Sequence, residues 1–430
     1  MEPAALTLVA AALLAFASIS GLAERSPLTS PMFFVAIGCV ASAHGLGLFE
    51  VNLSGEVIRG LAELTLVLVL FTDAARIDLT CLRREESLPL RLLAIGLPLT
   101  VIAGAAAGLA LLPGIEPIEA LLLAAILAPT DAALGQAVVS NPVVPLRIRQ
   151  SLNIESGLND GLALPLVLVL ASLAGAREAS GDVADWLRFA ALAVTLGPLA
   201  GGVVGLAGGR LVAWGTGAGW ISPPFQRLSL LGLAVLAYGG AELVGGNGFI
   251  AAFVAGAMLG TMDRDLCKSM LEFGEAEGQL LTLLIFLVFG VAMVPAALPH
   301  LTLEALLYAI ASLTLVRMLP VALSLLGSGL RGPSVAFLGW FGPRGLASIL
   351  FALLIVEEGR LASGPFLVAV VVLTVLLSTF LHGVTAYPLA RRYGAYSASL
   401  DAGEEHREVT EMPVRIRHRV DGAATTRSRA

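Results

Sequence analysis

Stretches such as "LAELTLVLVLF" (61 to 71), "LLTLLIFLVFGVAMV" (280 to 294) and "FLVAVVVLTVLLSTFL" (366 to 381) recur along almost the whole chain, and they decide what it can fold into. A soluble core cannot absorb so many of them. A bilayer can, because about 20 apolar helical residues match its hydrocarbon thickness. The make-up of the 430 residues agrees: 57% are hydrophobic and 13% charged, whereas soluble domains carry about 25% charged residues. The chain reads as an all-α polytopic membrane protein. Its first segment, "PAALTLVAAALLAFASISGL", has no Lys or Arg before it and so lacks the basic start of a signal peptide. It reads as a retained span.

Division at Pro, Gly and charged clusters gives about thirteen spans. They fall near 4–22, 31–49, 57–75, 91–112, 118–140, 150–174, 187–208, 227–244, 247–262, 278–298, 302–326, 333–356 and 365–388. Basic residues test that count, since Lys and Arg collect on the cytoplasmic side. One set of loops holds Arg25, Arg76, Arg83, Arg84, Arg91, Arg147, Arg149, Arg210, Arg227, Arg264, Lys268, Arg331, Arg391 and Arg392. The other holds only Arg59, Arg177, Arg188 and Arg360, mixed with Glu178, Asp182, Asp185, Glu357 and Glu358. The bias supports an odd number of spans with the N-terminus outside and the C-terminus in the cytoplasm. The expected division is a transmembrane domain over 1–390 and a cytoplasmic tail over 391–430. That tail is charged and poor in large apolar residues, which reads as disorder. His406 and His418 lie in it, either as plain solvated residues or as a pH sensor.

Other functions find little support. The three cysteines, Cys39, Cys81 and Cys267, sit in unrelated segments without metal-type spacing. The formal net charge of −6 covers both sides of a membrane and points to no partner. No basic stripe suggests nucleic acid. No G-x-x-x-x-G-K-[ST] loop suggests a nucleotide. No cofactor is expected.

Ionisable groups at bilayer depth cost at least about 2.5 kcal/mol each on insertion scales, so each is a functional hypothesis. They are few and clustered. "AILAPTDAALGQAV" places Pro129, Thr130 and Asp131 in the middle of the fifth span. Pro129 cannot donate to the preceding turn, so carbonyls near Ala125 and Ala128 become candidate cation ligands. "LNIESGLNDG" opens the sixth span, and Asp160 lies about ten residues, or ~15 Å, into it, near the midplane. Ser156, Asn159, Asp160 and Ala163 share a face, with Glu155 one turn before Asn159. Two carboxylates, Asp131 and Asp160, can meet at one depth with hydroxyl, amide and carbonyl oxygens, the ligands a hard cation asks for. Asn and Ser that only join helices are the alternative.

Arg317 in "ASLTLVRMLPVAL" and Arg344 in "GWFGPRGLASIL" also lie inside spans, and each is expected to need an acidic partner. Glu155 has no other obvious partner than one of these two arginines. "FGPRG" mirrors "APTD": both are Pro-containing breaks, one in each half, as an inverted repeat with two crossing broken helices would produce. Asp73 in "LFTDAARID" reads either as part of the site or as a boundary charge reaching for water. Glu242 reads as interfacial, and the Gly/Ala-rich "GGNGFIAAFVAGAMLG" behind it as close helix packing.

At these residues the sequence resembles the sodium/proton antiporters of the cation:proton antiporter-1 family. "APTD", "ESGLNDG", "GGNGFIAAFVAGAMLG", "LVRMLPV" and "GPRGLAS" occur in the family's order over roughly residues 5–390. The resemblance implies a thirteen-helix inverted-repeat fold, a homodimer in the cell's inner membrane, and a core domain that carries the ion as it moves. It implies Asp160 as the cation and proton carrier, with Thr130, Asp131 and Ser156 in the site. Asn159 would steady Asp131 or Asp160, and Glu155 would pair with Arg317. Asn before the critical Asp implies electroneutral exchange, one cation per proton. The acidic residue expected in the third helix maps only loosely onto Asp73.

The leading reading is therefore not an enzyme but an antiporter exchanging Na⁺ or Li⁺ for H⁺ at one shared carboxylate, with K⁺/H⁺ exchange on the same fold as the alternative. A passive cation channel would need a filter of carbonyls that the sequence lacks. An intramembrane aspartyl protease would use Asp131 and Asp160 as a dyad but gives no work to Arg317, Glu155 or Asn159.

Overall fold

The computed structural model describes residues 3–23, 26–48, 55–79, 82, 87–178, 183–358, 363–400, 403–409 and 412. The described elements are helices: α1 Pro3–Ala23, α2 Ser30–Ala41, α3 Glu56–Ala75, α4 Ser87–Leu111, α5 Pro117–Leu127, α6 Ala132–Val139 and α7 Leu146–Glu178. There follow α8 Val183–Val203, α9 Gly209–Gly217, α10 Pro223–Leu243, α11 Gly248–Met262 and α12 Arg264–Val288. The chain ends with α13 Leu303–Leu313, α14 Leu315–Ser324, α15 Gly332–Trp340, α16 Leu346–Glu358 and α17 Gly364–Ala398. Seven of the described helical stretches are long and apolar enough to cross a membrane. The expected spans reappear in their places, several of them broken or bent rather than straight.

Two breaks organise the fold. α5 ends at Leu127 and α6 restarts at Ala132, the non-helical link being Ala128–Asp131. α15 ends at Trp340 and α16 restarts at Leu346 after "FGPRG". Each link carries a Pro, which removes one ladder donor and crowds the preceding turn. The links cross, because Asp131 N–H donates to the Pro343 carbonyl at 2.8 Å. Gly345 is required there: a Cβ on it would overlap the Asp131 carboxylate. Here the inverted-repeat expectation and the observed architecture coincide. A third interruption, at Thr314 between α13 and α14, was not expected, and it carries Arg317 on the first turn after it.

α7 runs alongside α3, α5, α6 and α8 and carries more buried polar residues than any other described helix. α11 lies along α3 in backbone-to-backbone contact, since a Cβ on Gly256 or Gly260 would strike the carbonyls of Phe71 and Ala75. The small-residue run thus does pack closely, as small residues allow in bilayers. Cys267 is buried and its thiol donates to the Ala75 carbonyl, and Cys39 is half-buried. Cys81 lies outside the described residues.

The division at 390 moves. α17 continues as one helix to Ala398, and the segment beyond it packs back on the bundle, with Glu405 and Met412 each 1% exposed. His406 is exposed, with its Nε2 3.0 Å from the Ser397 carbonyl. Low hydrophobicity suggested disorder here. The segment is held instead by directed polar contacts and a single apolar side chain, which composition does not weigh. His418 and the rest of 413–430 lie outside the described residues.

Candidate ion-binding site

The crossing leaves helix ends pointing at one another in the interior, and ends carry unpaired amides or carbonyls. Two charged side chains satisfy them. Asp131 is the N-cap of α6: its Oδ1 accepts from Ala133 N–H at 2.7 Å, and its Oδ2 accepts from Leu346 N–H at the start of α16 at 2.8 Å. One carboxylate thereby faces the positive ends of two helices, where a negative charge is favourable. Arg344 does the converse at the C-terminal end of α5, donating from Nη1 to the Ala128 carbonyl at 2.5 Å and the Pro129 carbonyl at 3.2 Å.

That geometry corrects two expectations. Arg344 has backbone carbonyls, not a carboxylate, as its hydrogen-bond acceptors, since the negative end of a helix supplies what a charge partner would. The Ala128 carbonyl, offered above as a cation ligand, is taken by Arg344. The Ile126 carbonyl is also taken, by the Ser348 hydroxyl at 2.7 Å. Behind the crossing, Ser378 Oγ accepts from Arg344 N–H at 2.7 Å. His382 fills the next gap, with Nδ1 3.0 Å from the Ser378 carbonyl and Nε2 2.9 Å from the Trp340 carbonyl at the end of α15. Ser348, Ser378 and His382 escaped the sequence reading. Their signal was available only as polar residues at helical spacing with no assigned task.

Glu155 and Arg317 do meet. Arg317 Nη1 and Nη2 donate to the two Glu155 oxygens at 2.5 and 2.8 Å, a bidentate pair joining α7 to α14, and both residues are 1% exposed. The planar fork of Arg suits that geometry. Asp73 is paired as well: Arg76 Nη1 donates to its Oδ1 at 2.7 Å, and Arg76 Nη2 lies 3.5 Å from Glu275 on α12. Glu242 is exposed and accepts from Gly248 N–H at 2.8 Å, which caps α11 at the bundle edge.

Ser156 and Asn159, which precede Asp160 on α7, both bind Thr130 of the link between α5 and α6. Asn159 Nδ2 donates to Thr130 Oγ1 at 2.7 Å, and Thr130 Oγ1 lies 2.9 Å from Ser156 Oγ. Asn159 therefore anchors Thr130 and makes no hydrogen bond to either aspartate. Its Oδ1 is buried with no hydrogen-bond partner among the described residues. Asp160 sits one turn beyond Ser156 on the same face of α7, 8% exposed and close to the middle of that helix. Gly161 behind it packs against the Phe253 ring of α11, closing that side. The result is a buried carboxylate beside two linked hydroxyls, next to an irregular backbone stretch in the interior of a membrane-spanning bundle.

A bundle of apolar helices with crossed breaks and a buried carboxylate at the crossing defines a polytopic secondary transporter. Residues 10–392 match the family described as "Sodium/hydrogen exchanger, transmembrane", and the chain belongs to that family of cation:proton antiporters. Similar curated proteins include the K(+)/H(+) antiporter NhaP of Alkalimonas amylolytica, 29% identical over 91% of this chain and 67% of that one. Another is the K(+)/H(+) antiporter NhaP2 of Shewanella sp. strain MR-4, 26% identical over 88% of this chain and 66% of that one. The chain thus spans about two thirds of the length of these relatives. The fold matches the structure of the sodium proton antiporter MjNhaP1 from Methanocaldococcus jannaschii at pH 8, with a TM-score of 0.74, 21% identity, and coverage of 91% of this chain and 98% of that one.

Proposed function

We propose that this protein exchanges a monovalent cation for a proton at a single shared site, Asp160. The observation that supports the reading is that buried carboxylate on α7, one turn beyond Ser156 and next to Asn159, both of which hydrogen-bond to Thr130. Deprotonated Asp160 with the Thr130 and Ser156 hydroxyls offers oxygen ligands to a hard cation. Protonated Asp160 offers none of the charge, so cation and proton compete, and the competition is the coupling. Asp131 acts one step back, fixing the crossing on which Thr130 sits. Arg317 and Glu155 hold α7 to α14, and Asp73 belongs to the Arg76 pair rather than to the ion. Alternating access comes from α7 and the crossed helices shifting together against α3 and α11.

One cation per proton follows from Asn159: the site then carries a single titrating carboxylate. Na⁺ or Li⁺ is the leading substrate. K⁺ is the second reading, favoured by the names of the NhaP and NhaP2 relatives. The protein acts as a homodimer in the inner membrane, with the arginine-rich end of the bundle in the cytoplasm. Purified protein in proteoliposomes carrying an internal pH dye tests the function: Na⁺, Li⁺ or K⁺ outside should each be scored for dissipating an imposed pH gradient. A gradient untouched by all three would overturn antiport. Cross-linking in native membranes checks the dimer, and a uniformly monomeric result would remove it.

A further inference from the structure

Two helices each turn one face toward a common groove at the arginine-rich end of the bundle. On α15 that face is Pro333, Ala336, Phe337 and Trp340, spaced i, i+3, i+4 and i+7. On α17 the same spacing recurs in Leu389, Arg392, Tyr393 and Tyr396. Met318 of α14 and Phe341 complete the lining of a groove of about 510 Å³. The surface around it is apolar and exposed, with Leu319 and Leu323 on α14 and Leu381 and Val384 on α17, the kind of face a bilayer covers.

The walls offer an occupant almost nothing polar. The Phe337 ring stacks on Tyr393 with centroids 4.1 Å apart and lies 4.6 Å from Phe341. The polar atoms of two of these aromatics are already engaged: Tyr393 Oη donates to Ser334 Oγ at 3.0 Å, and Trp340 Nε1 donates to Thr385 Oγ1 at 3.0 Å. Ring faces and aliphatic carbon remain, so a polar ligand would lose its water there without replacement. Arg392 is the one charge on the lining, it is exposed, and no acidic residue lines the groove with it. Its neighbour Arg391 lies instead over the Tyr387 ring. A guanidinium beside an apolar slot offers parallel N–H donors to a phosphate.

We propose that this groove binds an anionic phospholipid of the leaflet on the arginine-rich side, one acyl chain lying along the aromatic wall between α15 and α17 and the phosphate on Arg392. The slot alone would accept any lipid tail, and the arginine alone any phosphate. Side by side they select a chain and a negative headgroup in one molecule, and anionic headgroups collect at basic ends of membrane proteins. The inner end of the groove reaches the crossing: Met318 follows Arg317 in the chain, and the Trp340 carbonyl lies 2.9 Å from His382 Nε2. A bound chain therefore steadies the end of α15 just before its break. The assignment needs only that the bundle spans a bilayer, not that it exchanges ions.

Trp340 is a reporter inside the site, because bromine on an acyl chain quenches an indole that it touches. Full-length protein stripped of lipid in detergent is titrated with phosphatidylglycerol carrying brominated chains, and the Trp340 part of the quenching is the difference from Trp340→Phe. Saturable quenching is expected, with a half-point about tenfold lower than for brominated phosphatidylcholine, whose ammonium opposes the guanidinium, and raised about tenfold in Arg392→Gln. Arg392 is exposed, so that variant should melt like wild type. Ala336→Phe, which fills the slot, should remove the saturable part. Equal half-points for the two lipids, or an Arg392→Gln protein that binds like wild type, would reduce the groove to general lipid contact and overturn the site. Trp340 quenching by neither lipid would also overturn it and leave the groove to a second copy of this chain.

Discussion

The Asp131 carboxylate accepts a hydrogen bond from Leu346 N–H at 2.8 Å across 215 positions of sequence, while its other oxygen caps α6 at Ala133. One side chain therefore satisfies two helix N-termini that face each other inside the bundle. Asp131→Ala should leave two buried amides without an acceptor, at about 1–3 kcal/mol for each unsatisfied group. Asp131→Asn keeps an oxygen for one amide and should be the milder change. Melting of the purified variants in detergent gives the order: wild type above Asn above Ala. An alanine variant as stable as wild type would show that the crossing does not depend on this carboxylate.

Arg317 and Glu155 form a pair that is worth more broken than made. Arg317→Ala should strand a buried carboxylate at about 3–5 kcal/mol, whereas removing both charges in Glu155→Gln/Arg317→Met should recover part of that loss. A lowered melting temperature for the single variant and partial restoration in the double are expected. A double variant no better than the single would contradict the pairing.

Glu405 makes the attachment of the terminal segment depend on acid. Burial on its own raises this carboxyl, but the Arg331 N–H, its own backbone, the Ser334 hydroxyl and the Arg331 charge together hold it below the ordinary carboxylate range. Arg147, Glu404, His406 and Arg407 surround the same segment. A depressed folded value stabilises the attached form fully above the unfolded value of about 4.3, and the stabilisation fades as pH falls through the lower folded value. Protection of 403–409 from deuterium exchange, compared between wild type and Glu405→Gln, should therefore show a wild-type advantage that is constant from pH 8 to about 5.5 and disappears in stronger acid. An advantage that vanished between pH 8 and 6 would assign the dependence to another group.

Asn159 carries the stoichiometry. With one titrating carboxylate, exchange of one cation for one proton moves no net charge, so membrane voltage does no work on it. Collapsing the potential in proteoliposomes with an ionophore for an ion that is not transported should leave the rate unchanged. A current on adding substrate would break the one-to-one assignment. Asn159→Asp would place two close carboxylates together and raise one of their values. It would also remove the amide donor that holds Thr130, and reduced exchange is the expected outcome.

Much of the architecture could be read from the chain because its signals are local. Pro129 and Pro343 mark their own breaks, and the "ESGLND" spacing places Ser156, Asn159 and Asp160 on one face whatever surrounds them. That Glu155 meets a buried arginine is legible because so few ionisable groups lie at depth, while the choice of Arg317 over Arg344 rests on the family resemblance. What failed was the choice of partner wherever backbone could serve. Arg344 was assigned an acid, yet the carbonyls at the end of α5 hold it, and those acceptors belong to geometry rather than to residue type. Asn159 donates to the Thr130 hydroxyl rather than to an aspartate, a choice between neighbouring side chains that only the packing decides. Asp73 had its partner three residues away in Arg76, a helical spacing that could have been read. The packed terminal segment was hidden by averaging, since one Met and two Glu in a polar stretch do not alter its composition.

If cation and proton occupy Asp160 in turn, cation affinity must depend on pH. With competition at one carboxylate, the apparent KM should rise as pH falls, approaching about tenfold per pH unit once the proton dominates the site, because the ligand must be deprotonated to bind. The maximal rate at saturating cation should change far less over the same range. The measurement is flux against cation concentration at a series of pH values, equal on both sides of the proteoliposome, for wild type and Asp160→Asn. Competitive curves are expected for the wild type and no exchange for a folded Asp160→Asn protein. A KM independent of pH, or ordinary exchange by that variant, would contradict it.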